Sequence, residues 1–358
     1  MSSRQEAGNT TTSRPKENCF DFLRTAAALT VLLSHSFPLS GLSEPLVGHE
    51  TTLGSIAVWV FFSISGYLIT QSALTSESTK AFALKRILRI GPALVALLLL
   101  SVFAAGPLLT ELAISDYFTS LRTYTYLVKN PAFANQESLP GVFASTPLPD
   151  GFNGSLWTIK YELLMYAMVG GLLAFTKREA IAPTAVGLAL IFFSFTLLHQ
   201  MDLINLSKVF WRLEDATSLR MDRLCLLGCL FFTGAAHNFW FPKGKAALYI
   251  ALAVLTGLAA LDTPLFKLFA AILVPVATLS VATKCATLFR IFQPRLDLSY
   301  GIYLYAFPVQ QAVASAGLIG LIYWPFGLIS SALITVALAY LSWIFIERPA
   351  LSLKKSLI

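Results

Sequence analysis

Charge is what this chain has least of. Only 13% of its 358 residues are Asp, Glu, Lys or Arg, against 56% hydrophobic, and the mean hydropathy is +0.69. Soluble domains carry about 25% charged residues, so this balance excludes an ordinary soluble protein and leaves a polytopic membrane protein. Cysteine is also scarce. Cys19, Cys225, Cys229 and Cys285 all lie in or beside apolar stretches, without CxxC spacing or a histidine cluster. Neither a zinc site nor a disulfide framework is indicated, and no metal is expected. A secretory signal peptide of the usual form is missing. Residues 1–18 are polar and lead directly into a span that carries charged residues and no small-residue cleavage site. They read as a disordered cytoplasmic tail. The formal net charge of +7 reflects loops facing anionic lipid rather than nucleic acid, given so apolar a chain.

What is there is a series of about ten apolar runs long enough to cross a bilayer. They lie near 20–37, 53–71, 87–105, 155–175, 180–199, 223–240, 246–262, 264–282, 298–319 and 324–346. The fold class is therefore all-α, a multi-pass membrane helix bundle over 19–349 with a second short cytoplasmic tail at 350–358. An even number of spans puts both termini on one side. With both inside, most Lys and Arg collect there, in the tails and in the loops holding Lys80 to Arg89, Lys177 and Arg178, Lys243 and Lys245, and Lys284 to Arg295. Four charges at 208–223 strain that topology, because Lys208, Arg212, Arg220 and Arg223 fall outside.

The first run reads FDFLRTAAALTVLLSHSF and holds Asp21, Arg24 and His35. At about 100° per residue, the step from Arg24 to His35 is roughly three full turns, so both lie on one helix face about 16 Å apart along the axis. Asp21 shares that face. Charges inside lipid face the bundle interior, pair with one another and mark sites, unless they snorkel to headgroups at a helix end, which is the alternative for Asp21. An imidazole that titrates near neutrality suits general-base work.

Further blocks follow. GSIAVWVFFSISGYLITQ places Ser65 and Gly66 mid-span, where small residues admit a close backbone or a ligand. KRILRIGPAL at 85–94 sets Lys85, Arg86 and Arg89 at a cytoplasmic mouth, either as a topological anchor or as a dock for a phosphorylated donor. Residues 106–154 form the longest segment without a span, and a loop of that length is functional or disordered. NGSLWTIKYELLMYAMVGG carries Glu162, with Tyr166 one turn on and Lys160 beside it. A carboxylate at that depth needs a partner, either a residue of the first span or Lys160 at the interface.

Taken in order, these blocks resemble the membrane-bound acyltransferase-3 family of O-acyltransferases that decorate bacterial surface sugars. Arg24 and His35, ten residues between them, match its opening signature. Gly54, Val58, Phe61, Phe62, Ser65, Gly66, Tyr67, Leu68 and Ile69 match "G-x-x-x-V-x-x-F-F-x-x-S-G-[YF]-L-I". The Arg-rich block before Pro92 has a family counterpart. Trp157, Ile159, Glu162 and Tyr166 fit "W-S-L-x-x-E-x-x-F-Y", with Thr158 for Ser and Met165 for Phe. Ser299, Tyr300, Tyr303, Leu304 and Pro308 fit "S-Y-x-x-Y-L-x-H-x-P", but Ala306 stands where many members have His. Glu347, Arg348 and Pro349 match the terminal "E-[RK]-P".

The resemblance implies a transferase that takes an acyl group, acetyl from acetyl-CoA before succinyl, and delivers it to a hydroxyl of a lipid-linked or growing surface polysaccharide in the inner membrane. His35 is then the general base, Glu162 its supporting carboxylate and Arg24 the group that neutralises developing negative charge. Lys85, Arg86 and Arg89 would bind the donor, with Asp21, Ser65, Gly66, Trp157, Tyr166 and Tyr303 around the site. The rival class is a transporter of a small anionic or sugar-like solute, since intramembrane charges and broken helices also build substrate pathways. Against it, the two halves show no internal repeat and the ionisable residues concentrate in the first four spans.

Overall fold

Where a backbone has no water to bond, it bonds to itself, and this chain does so almost entirely as helix. The computed structural model describes residues 18–132, 134–240, 250, 252, 254, 256, 257, 259–284, 294, 296–318 and 324–357. The long helices are α1 (Phe20–Leu39), α2 (Leu53–Thr75), α3 (Thr79–Leu109), α4 (Ile159–Phe175), α5 (Arg178–Gln200), α6 (Met221–Trp240), α7 (Phe266–Lys284), α8 (Ser299–Ser315) and α9 (Trp324–Ser352). Among the described residues, 7 are long and apolar enough to cross a membrane: α1 to α5, α7 as Phe266–Thr283, and α9. The count of about ten is therefore not confirmed. α8 has 17 residues and α6 opens with Met221, Asp222 and Arg223, so both fall at expected positions without meeting the same measure. The expected span at 246–262 falls partly, that at 298–319 by its last residue, and the tail at 1–18 almost wholly, outside the described residues, whereas those at 264–282 and 324–346 are met by α7 and α9.

Local chemistry sets the helix starts. The Thr52 hydroxyl accepts from the Ser55 amide at the head of α2, and Ser78 accepts from Ala81 at the head of α3, each covering an otherwise open N–H. Two of the helices contain a π-type turn, Ser101–Ala105 in α3 and Trp343–Glu347 in α9. The first frees the Val102 carbonyl, which takes the Tyr117 hydroxyl at 3.0 Å.

α2 is the central helix, packed on α1, α6 and α7. It crosses α6 through glycines. A Cβ on Gly66 would lie 1.8 Å from the Phe231 carbonyl, and one on Gly234 would lie 2.3 Å from that of Ser63. The Ser65-Gly66 pair thus divides its labour, with Gly66 closing the helix crossing and Ser65 facing the cavity described below. Replacing Gly66 with Ala should cost about 1–3 kcal/mol, since both neighbours are backbone and neither can turn aside. Gly171 has nothing within 4 Å of its would-be Cβ. Its Ala variant should match or exceed wild type in thermal melting, and equal melting of both variants would mean that the crossing tolerates separation.

The 106–154 segment is packed. Short helices at Ile114–Thr119 and Leu121–Lys129 bury Tyr117 and Tyr126, and the Phe152 ring stacks on Phe143 at 5.8 Å and meets Tyr126 edge-on at 5.9 Å. These rings are turned on one another, so they present no face for stacking on a sugar.

Candidate active site

A cavity of about 320 Å³ lies between α1, α2, α3, α4, α8 and the last turns of the chain. Its wall contains Arg24, Ser65, Arg86, Arg89, Glu162, Tyr166, Asp297, Tyr300, Tyr303 and Lys354, with Phe61, Phe62, Ile69, Trp343 and Leu351 supplying apolar surface. Such a chamber, largely apolar with a few converging polar groups, is the usual form of a ligand site.

At one end is an ion network. Arg24 meets Asp21 Oδ1 at 2.5 Å and Asp297 Oδ2 at 3.2 Å, while Arg89 meets the same Asp297 oxygen at 2.6 Å and Glu347 at 3.0 Å. Burial opposes the charge on Asp297, but Arg89, Arg24 and the hydrogen bonds from Ser299 outweigh it and hold its carboxyl below the ordinary Asp value. The sign is that of a depressed carboxylate. The stabilisation is complete above the ordinary Asp range and is lost as pH falls through the lower folded value. Wild-type melting temperature should therefore drop steeply with acid, and Asp297→Asn should melt lower at pH 7 but with a shallower acid slope. Parallel slopes would mean that other carboxylates carry the transition.

Arg89 is thus occupied by two carboxylates, whereas the basic block at 85–94 had pointed to it as a donor ligand. Arg86 is different. It has no carboxylate within ion-pair distance among the described residues. Its Nη2 donates to Ser72 Oγ at 3.3 Å, its Nε is buried without a partner, and its guanidinium lies over Phe82 and Tyr166 at 5.8 and 6.0 Å from the ring centres. Lys85 turns away from the cavity and donates to Ser76 Oγ at 3.2 Å.

Glu162 accepts from the Tyr166 hydroxyl and from Ser65 Oγ, the latter at 3.3 Å. Lys160 is not its partner. On the opposite face of α4, it reaches the Ser218 carbonyl at 2.6 Å. Tyr303 hydrogen-bonds Thr158 at 2.7 Å and donates to the Ser155 carbonyl at 2.9 Å, fixing α8 to the start of α4. Trp157 lies off the cavity, with the Arg223 guanidinium 4.5 Å above its ring.

His35 stands apart from these groups. It is not in the cavity wall, and its ring meets Phe307 edge-on at 5.1 Å with Nδ1 buried and unpaired. The expected Glu162–His35 hydrogen bond is not formed. On α8, one turn from Phe307, Gln310 donates to the Leu32 carbonyl at 2.8 Å, and Gln311 donates to those of Leu148 and Gly151 at 2.8 and 2.7 Å. The Oε1 atoms of both amides, like His35 Nδ1, are buried and without a hydrogen-bond partner among the described residues.

Sequence reasoning did not select Asp297 or Lys354, and it matched Tyr300 and Glu347 to motifs without placing them at the site. Asp297 precedes the Ser299-Tyr300 motif by two residues and Glu347 opens the terminal Glu-Arg-Pro block, so the signal for both was a charge at the edge of an apolar run. Among the described residues, no three His, Cys, Asp or Glu side chains converge as a metal would need.

A helical membrane bundle with a charged internal chamber, its motifs in acyltransferase order, defines a membrane acyltransferase. The chain belongs to the acyltransferase-3 family, whose profile, described as an acyltransferase domain, matches residues 17–344. It is 32% identical over 339 residues to an O-acetyl transferase of Shigella phage Sf6, covering 93% of this chain and 96% of that one. It is 28% identical to Nodulation protein 10 of Rhizobium leguminosarum bv. viciae, over 95% of both chains. A shorter likeness, 38% over 95 residues, joins it to Acyltransferase MdmB of Streptomyces mycarofaciens. No solved structure matches the chain. It is a membrane-embedded O-acyltransferase, and membership in this family decides for the enzyme over the transporter.

Proposed function

We propose that the enzyme transfers acetyl from acetyl-CoA to a hydroxyl of a cell-surface or exported polysaccharide or oligosaccharide, from the inner membrane and with both termini cytoplasmic. The observation that carries this reading is the Arg86 guanidinium, without a carboxylate partner among the described residues and with its Nε open, in the wall of a chamber that also holds Glu162. An anion-seeking group at the Lys- and Arg-rich side suits a phosphorylated donor, and the chamber suits its acyl arm. The phage O-acetyl transferase supplies the acetyl group by likeness.

In the proposed reaction His35 takes the proton from the acceptor hydroxyl. The hydroxyl oxygen bonds to the acyl carbon, the carbon–sulfur bond breaks, and the proton passes to the leaving thiolate. Glu162 holds Tyr166 and Ser65 towards the thioester rather than orienting His35, because its oxygen is taken up by their hydroxyls. Arg24 balances charge from within its ion network through the Nε that remains unpaired. The open amide oxygens of Gln310 and Gln311 put acceptor-binding groups at the His35 end.

Purified protein given labelled acetyl-CoA and carbohydrate acceptor should yield base-labile, polysaccharide-bound label. A mass comparison of surface sugars from a deletion strain and its parent should show loss of one acetyl per modified unit. Unchanged sugars together with no label would overturn the reading.

A further inference from the structure

Lys354 follows the last turn of α9, in the short helix Lys354–Leu357, where the sequence predicts only a tail. Its segment packs back on α3, and the half-buried side chain lines the same cavity as Arg86. No carboxylate, hydroxyl or carbonyl pairs with it among the described residues, while the carboxylates nearby, Asp297 and Glu347, are committed to Arg89. We propose that Arg86 and Lys354 form a two-point clamp for the phosphate groups of the nucleotide half of the donor, and that Arg89 takes no part in it.

Two observations support this independently. Arg86 keeps a sealed, unpaired Nε and is stacked on Phe82 and Tyr166, so its plane is fixed before any ligand arrives. Lys354 carries the cost of unbalanced charge, since burial and then the neighbouring Arg86, Arg89 and Lys85 push its ammonium below the ordinary Lys value. A phosphate between the two cations would relieve both. The segment after α9 thereby becomes part of the donor site.

The clamp rests on the donor being a coenzyme A thioester, and the test separates the two ideas. Binding of coenzyme A and of pantetheine, which lacks the phosphates, is measured by calorimetry on the full chain in phospholipid-free detergent. Lys354→Gln should weaken coenzyme A about tenfold, equivalent to about 1.4 kcal/mol, and leave pantetheine unchanged. Lys354→Arg should restore binding to within about twofold, and the exposed Lys177→Gln should have no effect. If wild type binds no coenzyme A, the donor reading fails and takes the clamp with it. If wild type binds it and Lys354→Gln binds as tightly, the clamp alone is wrong. Equal weakening of both ligands, or displacement of coenzyme A by anionic phospholipid alone, would also overturn it, the latter by assigning the cations to a headgroup.

Discussion

Replacing Arg89 with Gln is expected to cost about 3–5 kcal/mol of stability, enough to leave little monodisperse protein after extraction in detergent. The size follows from what remains. Glu347, whose side chain is 1% exposed, loses its one cationic partner, and Asp297 is left with Arg24 at 3.2 Å. Breaking a buried pair from one side leaves an uncompensated charge, and that penalty exceeds the worth of the pair itself. Arg89→Lys should recover only part, because one ammonium cannot span two carboxylates as a guanidinium fork does. The double change Arg89→Gln with Glu347→Gln should melt above the single one, since it removes the stranded charge. Melting of Arg89→Gln within about 1 kcal/mol of wild type would return Arg89 to the list of donor ligands.

The second large effect is on activity and leaves the fold intact. Replacing His35 with Ala should lower acyl transfer by about 10²- to 10⁴-fold, the usual contribution of a positioned general base. Stability should fall by about 1–3 kcal/mol, the edge contact with Phe307 together with the burial the ring loses and the cavity it leaves. Its buried Nδ1 makes no hydrogen bond among the described residues, so removing it strands no partner. Transfer is measured at matched levels of correctly eluting protein, with Glu162→Gln alongside. The latter keeps an acceptor for Tyr166 and Ser65 and should lose less. Full activity of His35→Ala would remove the base from the mechanism.

Much of the architecture was legible because the bilayer enforces it. Apolar runs of the right length had to be helices, and the (i, i+3) spacing of Asp21 and Arg24 already paired them. Ser65, Arg86, Glu162, Tyr166 and Tyr303 came from separate blocks and do share one cavity. What the pattern could not supply was depth and partner. Helical periodicity put Arg24 and His35 on one face, but a common face says nothing about which neighbouring helix each meets, and only Arg24 faces the chamber. The partners of Arg89 lie 208 and 258 residues away, beyond any local rule, and Lys354 was hidden in what reads as a charged tail.

The ion network has a consequence for biosynthesis. Its members come from the first helix, the third, the lead-in to α8 and the end of α9, so the set cannot assemble until the ribosome has delivered nearly every transmembrane segment. Until then Arg24 and Arg89 stand in the nascent bundle without their later carboxylates, a state suited to recognition by insertion chaperones and quality-control proteases. Arrival of Glu347 is the last of these contacts to become available, so the network closes only once the end of α9 is in place.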